Sequence, residues 1–276
     1  MKIKLVADSS ANMKVLDGAE FSSVPLSILL DDKAYVDNDD LDVPALLDDL
    51  RVFKGKTGTA CPSVADWMDA FDNADVVLGV AITSNLSGCY NAASIAAQEY
   101  METYPDRKVF ILDSLSTGPE MELILEKYVE LITAGKSFEE IVEEVKAYSS
   151  KTHLLFSLES LANLARNGRV SPLVAKAAGI LGIRVVGKAS DVGTLEPLHK
   201  PRGEKKALQT MVSEMEAMGY TGGKIRISHT FNSTAAEALV ALLKERFPAC
   251  TPTVRLNTGL CSYYSEEGGM LVGFEG

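Results

Sequence analysis

Histidine, cysteine and tryptophan are scarce in this chain, and long apolar runs are missing from it. Of 276 residues, three are His, four are Cys and one is Trp. His153, His199 and His229 are scattered, and Cys61, Cys89, Cys250 and Cys261 show no C-x-x-C spacing. A zinc site or a vicinal-thiol redox motif therefore has no basis in the sequence. No stretch approaches the roughly 18 apolar residues that a membrane-spanning helix requires. The opening Met1-Lys2-Ile3-Lys4-Leu5-Val6-Ala7-Asp8 has a short apolar run that ends in an acid, which fails as a signal peptide. Positive charge is also in short supply: 27 Lys and Arg stand against 38 Asp and Glu, a net charge of −11. Such a chain repels phosphate backbones and anionic bilayers, so neither nucleic acid nor a membrane is an expected partner. The expectation is a cytoplasmic protein with free thiols.

Several catalytic signatures are missing too. Gly222-Gly223-Lys224 resembles the tail of a phosphate loop, but Ile225 follows where Ser or Thr is needed, and position 218 is Met rather than Gly. There is no G-x-G-x-x-G after a strand and no G-x-S-x-G elbow. Asp39-Asp40 and Asp48-Asp49 have no histidine near them and read as solvated surface, not as a metal site.

What is present is an ordinary packed core, with 46% apolar and 24% charged residues. Short apolar runs at Ile3–Ala7, Val24–Leu30, Val76–Ile82 and Val109–Leu112 read as strands. Helical periodicity covers Val43–Phe53, Val64–Phe71, Tyr90–Met101 and Glu120–Thr133. Ser137-Phe138-Glu139-Glu140 is a capping box that opens a helix to Tyr148. This alternation predicts an α/β fold whose N-terminal domain, residues 1–150, is an open, mostly parallel sheet with flanking helices.

Residues 151–276 read as a second α/β domain. His153–Leu158 is a strand, after which Ser157 caps a helix stopping at Asn167-Gly168. Ser171-Pro172 starts another helix that ends before Gly182. Ile183–Ala189, the Asp191-Val192-Gly193 turn and Leu195–His199 form a hairpin. A helix from Glu204 to Met218, strand Lys224–Ser228, helix Ala235–Arg246 and strands at Val254–Leu256 and Met270–Phe274 complete the chain.

Four polar segments fall where strands end: Asp8-Ser9-Ser10-Ala11-Asn12, Thr59-Ala60-Cys61-Pro62-Ser63, Thr83 through Tyr90, and Asp113-Ser114-Leu115-Ser116-Thr117-Gly118. Ligands of open α/β sheets bind outside the carboxyl ends of the strands. Each segment alone is accounted for by helix capping. Four together point to a shared pocket of hydroxyls and helix N-terminal amides, suited to an anion such as a carboxylate. Cys61 and Cys89 within these loops read as small packing residues.

These segments resemble those of the DegV family, whose better-studied members are the fatty-acid-binding FakB proteins. The resemblance covers nearly the whole chain. It rests on Asp8–Asn12, Thr59–Ser63, Thr83-Ser84-Asn85-Leu86-Ser87-Gly88-Cys89-Tyr90-Asn91-Ala92-Ala93, Leu161–Val170 with its Gly168-Arg169, and Arg202-Gly203-Glu204-Lys205-Lys206-Ala207-Leu208. It implies a non-catalytic carrier that buries a long-chain fatty acid, uses no cofactor, and presents its ligand to a separate ATP-dependent fatty acid kinase. The resemblance places Thr59 and Ser87 on the carboxylate, with Ser84 and the Gly88 amide close by. Ser9 and Ser114 belong to the same cluster of loops. Arg169 is the implied cation at the head-group opening, and Arg202 is implied to face the kinase. Many members carry a histidine in a C-terminal H-x-G motif. Here Tyr264 stands in its place, and Glu266 replaces the glycine, which brings bulk and a negative charge towards the site.

The physics suits such a ligand. Burying about 16 carbons at roughly 0.8 kcal/mol each offers on the order of 10 kcal/mol before ordering costs. Leu158, Leu161, Leu164, Val174, Ala177, Ile180 and Leu181 are candidate tunnel walls. Two other readings stay open: a carrier of another small anionic metabolite, and an enzyme with Ser87 or Cys89 as nucleophile.

Overall fold

A computed structural model of the chain describes residues 2–172 and 182–276. The chain opens with strands β1 (Ile3–Asp8) and β2 (Glu20–Val24). An excursion follows, made of β3 (Ser27–Leu30), β4 (Lys33–Val36), helix α1 (Val43–Val52) and β5 (Thr57–Ala60). Next come α2 (Val64–Phe71), β6 (Val76–Ala81), α3 (Cys89–Thr103), β7 (Lys108–Asp113), α4 (Pro119–Thr133) and α5 (Phe138–Ser149). The second half holds β8 (Thr152–Leu158), α6 (Ala162–Arg166), β9 (Val185–Ala189), β10 (Leu195–His199) and α7 (Glu204–Ala217). It ends with β11 (Gly223–His229), α8 (Ser233–Arg246), β12 (Cys250–Leu256), α9 (Gly259–Ser265) and β13 (Met270–Glu275).

Three sheets result. The first, β2-β1-β6-β7, is parallel throughout. Its central strand β6 is buried along its whole length, as a strand covered on both faces must be. The second, β10-β9-β8-β13-β11-β12, is antiparallel except where β12 joins β11. The third is a small antiparallel sheet, β4-β3-β5. The fold is thus α/β, as the strand–helix alternation requires.

Helix α4 joins the halves. Its first seven residues, Pro119 to Leu125, are all buried, because it packs against β6 on one side and against β8, β11 and β13 on the other. Gly273 on β13 allows this approach: a Cβ there would lie 2.5 Å from the Pro119 carbonyl carbon. Glu122 on α4 is buried but meets Arg255 at 3.0 Å and Arg226 at 3.6 Å, so its charge is compensated.

Four expectations need correction. Val24–Leu30 is not one strand. Pro25 has no N–H for a ladder, and the next amide, that of Leu26, donates to Ser9 Oγ at 3.1 Å. The chain therefore leaves the parallel sheet at Val24 and starts the small sheet at Ser27. Thr59 consequently lies within a strand of that sheet, paired with Ile28, and not in a loop at a parallel strand end. Ser157 does not cap a helix. The β8 ladder continues through it, opposite Met270 and Val186, and α6 begins only at Ala162, whose amide donates to Ser160 Oγ. Helix α9 was not expected at all. The helix expected after Ser171-Pro172 falls on residues 173–181, outside those described.

Candidate ligand-binding site

Between the sheets and the loops that cross them lies a cavity of about 840 Å³, counting its open mouth. Its floor is β8. Leu154, Phe156 and Leu158 stand two residues apart and so share one face of the strand. Leu271 pairs with Phe156 from β13 and extends the same apolar surface. Leu164, Leu195 and Leu260 add to it.

The roof is made of loops. The turn of the β9–β10 hairpin lies over the segments after β6 and β7. Asn85 Nδ2 donates to the Val192 carbonyl at 2.7 Å. Gly193, at φ +73°, fits so closely that a Cβ would lie 2.1 Å from Thr83 Oγ1 and 2.9 Å from Leu115 Cα. The Thr83 amide donates to the Ser116 carbonyl at 2.9 Å, which ties these two segments together.

Polar side chains from separate elements also line the cavity, among them Thr59 from β5, Ser87 from the turn before α3, Arg169 from the loop after α6 and Tyr264 from α9, with Thr83, Thr117, Lys188 and Thr194 in the roof and on β9. The Thr59 and Tyr264 hydroxyls are 2.8 Å apart. The Arg169 guanidinium lies 6.0 Å from the Tyr264 ring centroid. Its Nε donates to the Leu86 carbonyl at 3.2 Å and its Nη1 to that of Asn167 at 2.5 Å, so backbone carbonyls hold the cation and, among the described residues, other N–H groups of its five stay available. Ser87 Oγ accepts the Cys89 amide at 3.3 Å and sits 3.2 Å from the Cys89 thiol.

These positions are enforced from a distance. Asp37, buried after β4, accepts the amides of Gly259 at 2.8 Å and Leu260 at 3.0 Å and so caps α9. Asn12 Oδ1 accepts the Thr258 amide at 2.5 Å. Tyr263, fully buried beside Tyr264, donates to Thr57 Oγ1 at 2.7 Å and accepts from Asn167 Nδ2 at 2.8 Å. One tyrosine therefore links β5, α6 and α9, the elements that carry Thr59, Arg169 and Tyr264. Asp8 does similar work at the end of β1, accepting the amides of Ser10 and Ile82.

Electrostatics favour an anionic head. Burial pushes the Tyr264 hydroxyl above its ordinary pKa, against the pull of Thr59 and Arg169, so it remains a neutral donor. Burial also pushes the Cys89 thiol well up, which disfavours a thiolate. Neither His153, His199 nor His229 lines this cavity.

The other residues singled out from the sequence lie elsewhere. Ser84 and Gly88 are exposed and outside the lining; the Ser84 amide donates to Asp113. Ser9 and Ser114 are buried in their own turns, Ser9 binding the Leu26 amide and Ser114 the Ser116 amide. Arg202 is exposed. Glu266 points away from the cavity: it sits at φ +55° after α9 and accepts the Asn163 amide at 3.0 Å, so its charge serves the first turn of α6. Leu158 and Leu164 line the cavity, and Leu161 is buried in the same apolar cluster. Val174, Ala177, Ile180 and Leu181 lie outside the described residues. Leu115, Ser116 and Thr117, from the segment Asp113–Gly118 expected to join the pocket, do line it; the sequence reading missed Thr194 and Leu195 of the roof and Phe156 and Leu271 of the floor.

A family profile described as "Uncharacterised protein, DegV family" matches residues 2–274. The chain belongs to the DegV family. A DegV domain-containing protein of Streptococcus pneumoniae is 41% identical over 279 residues, spanning 100% of this chain and 99% of that one. The DegV family protein of Eubacterium eligens, solved loaded with heptadecanoic acid, superposes with a TM-score of 0.97 at 44% identity, over 99% of each chain. The Fatty Acid Kinase (Fak) B3 protein of Streptococcus pneumoniae, solved loaded with linoleic acid, gives a TM-score of 0.98 at 41% identity, over 100% of this chain and 99% of that one. Among the described residues, no helix is long and apolar enough to cross a membrane.

Proposed function

We propose that this chain is a non-catalytic cytoplasmic carrier of a long-chain fatty acid, which it presents to a separate ATP-dependent fatty acid kinase. The observation that carries the reading is the shape and polarity of one cavity. It is apolar along β8, and Thr59, Arg169 and Tyr264, with Ser87 beside them in the lining, gather donors against that apolar surface. An amphiphile with one anionic end and a long apolar body fills both parts. A bare carboxylate in an apolar tunnel would be too costly, and these four donors answer that cost. A small anionic metabolite would leave the floor of Leu154, Phe156 and Leu158 empty. A Ser87- or Cys89-dependent enzyme would need a base, and no histidine lines the site.

The names of the similar proteins support the ligand class, and the Fak B3 name supports the kinase. The exposed Arg202 serves on the partner-facing surface. In this reading, residues 1–150 supply Thr59 and Ser87 to the head-group site, and residues 151–276 supply Arg169, Tyr264 and the acyl floor. Organic extraction of the purified protein, followed by mass spectrometry, tests the proposal. It predicts close to one long-chain acid per chain; protein consistently free of lipid after mild purification contradicts it.

A further inference from the structure

Among the described residues, two large apolar side chains sit on left-handed backbone: Leu115, at φ +52°, and Phe231, at φ +49°. Glycine takes that conformation freely, and asparagine or aspartate fairly readily, whereas a bulky apolar residue is strained in it. Of the two, Leu115 lines the acyl cavity. It belongs to the turn between β7 and α4. It is 38% exposed, so it keeps uncovered apolar surface at the cavity wall.

Hydrogen bonds on both sides hold the strained residue. Asp113 Oδ1 accepts the Leu115 amide and the Ser84 amide, each at 3.1 Å. The Ser114 amide donates to the Ala81 carbonyl at 3.1 Å, and Ser114 Oγ accepts the Ser116 amide at 3.1 Å. The Ser116 carbonyl accepts the Thr83 amide at 2.9 Å. Gly193 closes in from the hairpin turn: a Cβ there would lie 2.9 Å from Leu115 Cα and 3.0 Å from its carbonyl oxygen.

None of these contacts uses the leucine side chain. Among the described residues, Leu115 is neither part of a buried apolar cluster nor packed against one. Glycine at this position would serve the turn and avoid the strain. Strained residues persist where neighbours over-determine them, and they collect at ligand clamps.

We propose that Leu115 is the clasp of the acyl site. Its side chain closes over the bound chain from the roof, while Leu154, Phe156 and Leu158 support that chain from the floor, and so it slows escape of the ligand. This role rests on the cavity holding a fatty acid. Apolar surface that Leu115 leaves in water without ligand is covered by methylene groups when ligand is bound, and must be uncovered again for release.

Two variants separate the side chain from the strain. Leu115→Ala removes the side chain beyond Cβ and keeps a residue that resists left-handed backbone. Leu115→Gly removes both. Stopped-flow displacement of cis-parinaric acid by excess oleate reads release, and melting curves of delipidated protein read stability. Both variants should release cis-parinaric acid about three- to tenfold faster than the parent protein, the effect of losing a leucine side chain that a ligand covers in part. Delipidated Leu115→Gly should melt about 1–3 °C above delipidated Leu115→Ala and no lower than the parent. Release unchanged in both variants, with cis-parinaric acid still bound by the parent, would overturn the clasp alone. A Leu115→Gly protein that melts well below the parent would also overturn it, since the leucine would then serve the fold. A parent protein that does not bind cis-parinaric acid at all would overturn the carrier reading, and the clasp with it.

Discussion

The Thr59 hydroxyl lies 2.8 Å from the Tyr264 hydroxyl, joining the edge of the small antiparallel sheet to the last helix. In the proposed reading, each residue holds the other in place for a shared ligand oxygen. Tyr264→Phe should weaken long-chain fatty acid binding by about three- to tenfold, because it removes one donor at a partly desolvated site. Thermal stability should change little, since α9 is pinned independently by Asp37. Isothermal titration with oleate, beside a melting curve, checks both statements.

Ser87 lines the same cavity, and its hydroxyl already accepts the Cys89 amide. A hydroxyl donated to a carboxylate is a charge-assisted bond worth about 1.5–3 kcal/mol. Ser87→Ala should therefore weaken fatty acid binding by about ten- to a hundredfold and leave the circular dichroism spectrum unchanged. Unaltered affinity would remove Ser87 from the site.

The apolar part of the cavity should set chain length. Ala189 lines it from β9 and is only half-buried, so a larger side chain there takes up ligand space at little cost to the fold. Ala189→Leu should shift the acids extracted with the protein towards shorter chains. Gas chromatography of their methyl esters reads the distribution, and an unchanged profile would place the acyl chain elsewhere.

Reading strand–helix alternation was enough to find β1, β6 and β7 of the first sheet, the strands of the second and α4, but not β2, which the expected strand at Val24–Leu30 meets only at its last residue. Local signals set those elements: apolar runs in β1, β6 and β7, and the Ser137–Glu140 capping box that the structure contains at the start of α5. The small sheet and α9 were illegible for a physical reason. β5 is only Thr-Gly-Thr-Ala, and α9 is Gly-Leu-Cys-Ser-Tyr-Tyr-Ser, so neither has strong intrinsic propensity. Partners far along the chain hold them: Ile28 opposite Thr59, and Asp37 and Asn12 at the start of α9. The segments carrying Thr59, Ser87 and Leu115 were legible as polar strand-end loops, whereas Arg169 and Tyr264 were legible only through motif resemblance. The roof at Gly193 and Thr194 had no signal, because it arises where the hairpin turn meets those loops.

Stability should fall as pH rises through weak acid. Burial pushes the Glu120 carboxyl from 4.5 up to about 7, and that of Asp8 from 3.8 up to about 6. The native state holds these protons more tightly than the unfolded chain, so stability falls between about pH 4 and 7 and levels off above. Glu120→Gln keeps an acceptor for Thr152, whose hydroxyl donates to Glu120 Oε1 at 2.7 Å. It should stabilise the protein at pH 8 by up to about 3 kcal/mol, and change it little at pH 4.5. Urea unfolding at the two pH values measures the difference.

The central claim is that one elongated ligand lies with its carboxylate among Thr59, Ser87, Arg169 and Tyr264 and its chain along β8. A crystal structure of the protein purified without added lipid tests this most directly. Continuous tubular electron density should begin within hydrogen-bond reach of the Thr59, Ser87 and Tyr264 hydroxyls and run past Leu158, Phe156 and Leu154. Density for a compact anion alone at that end, with the floor of β8 bare or filled only by water, would contradict the account.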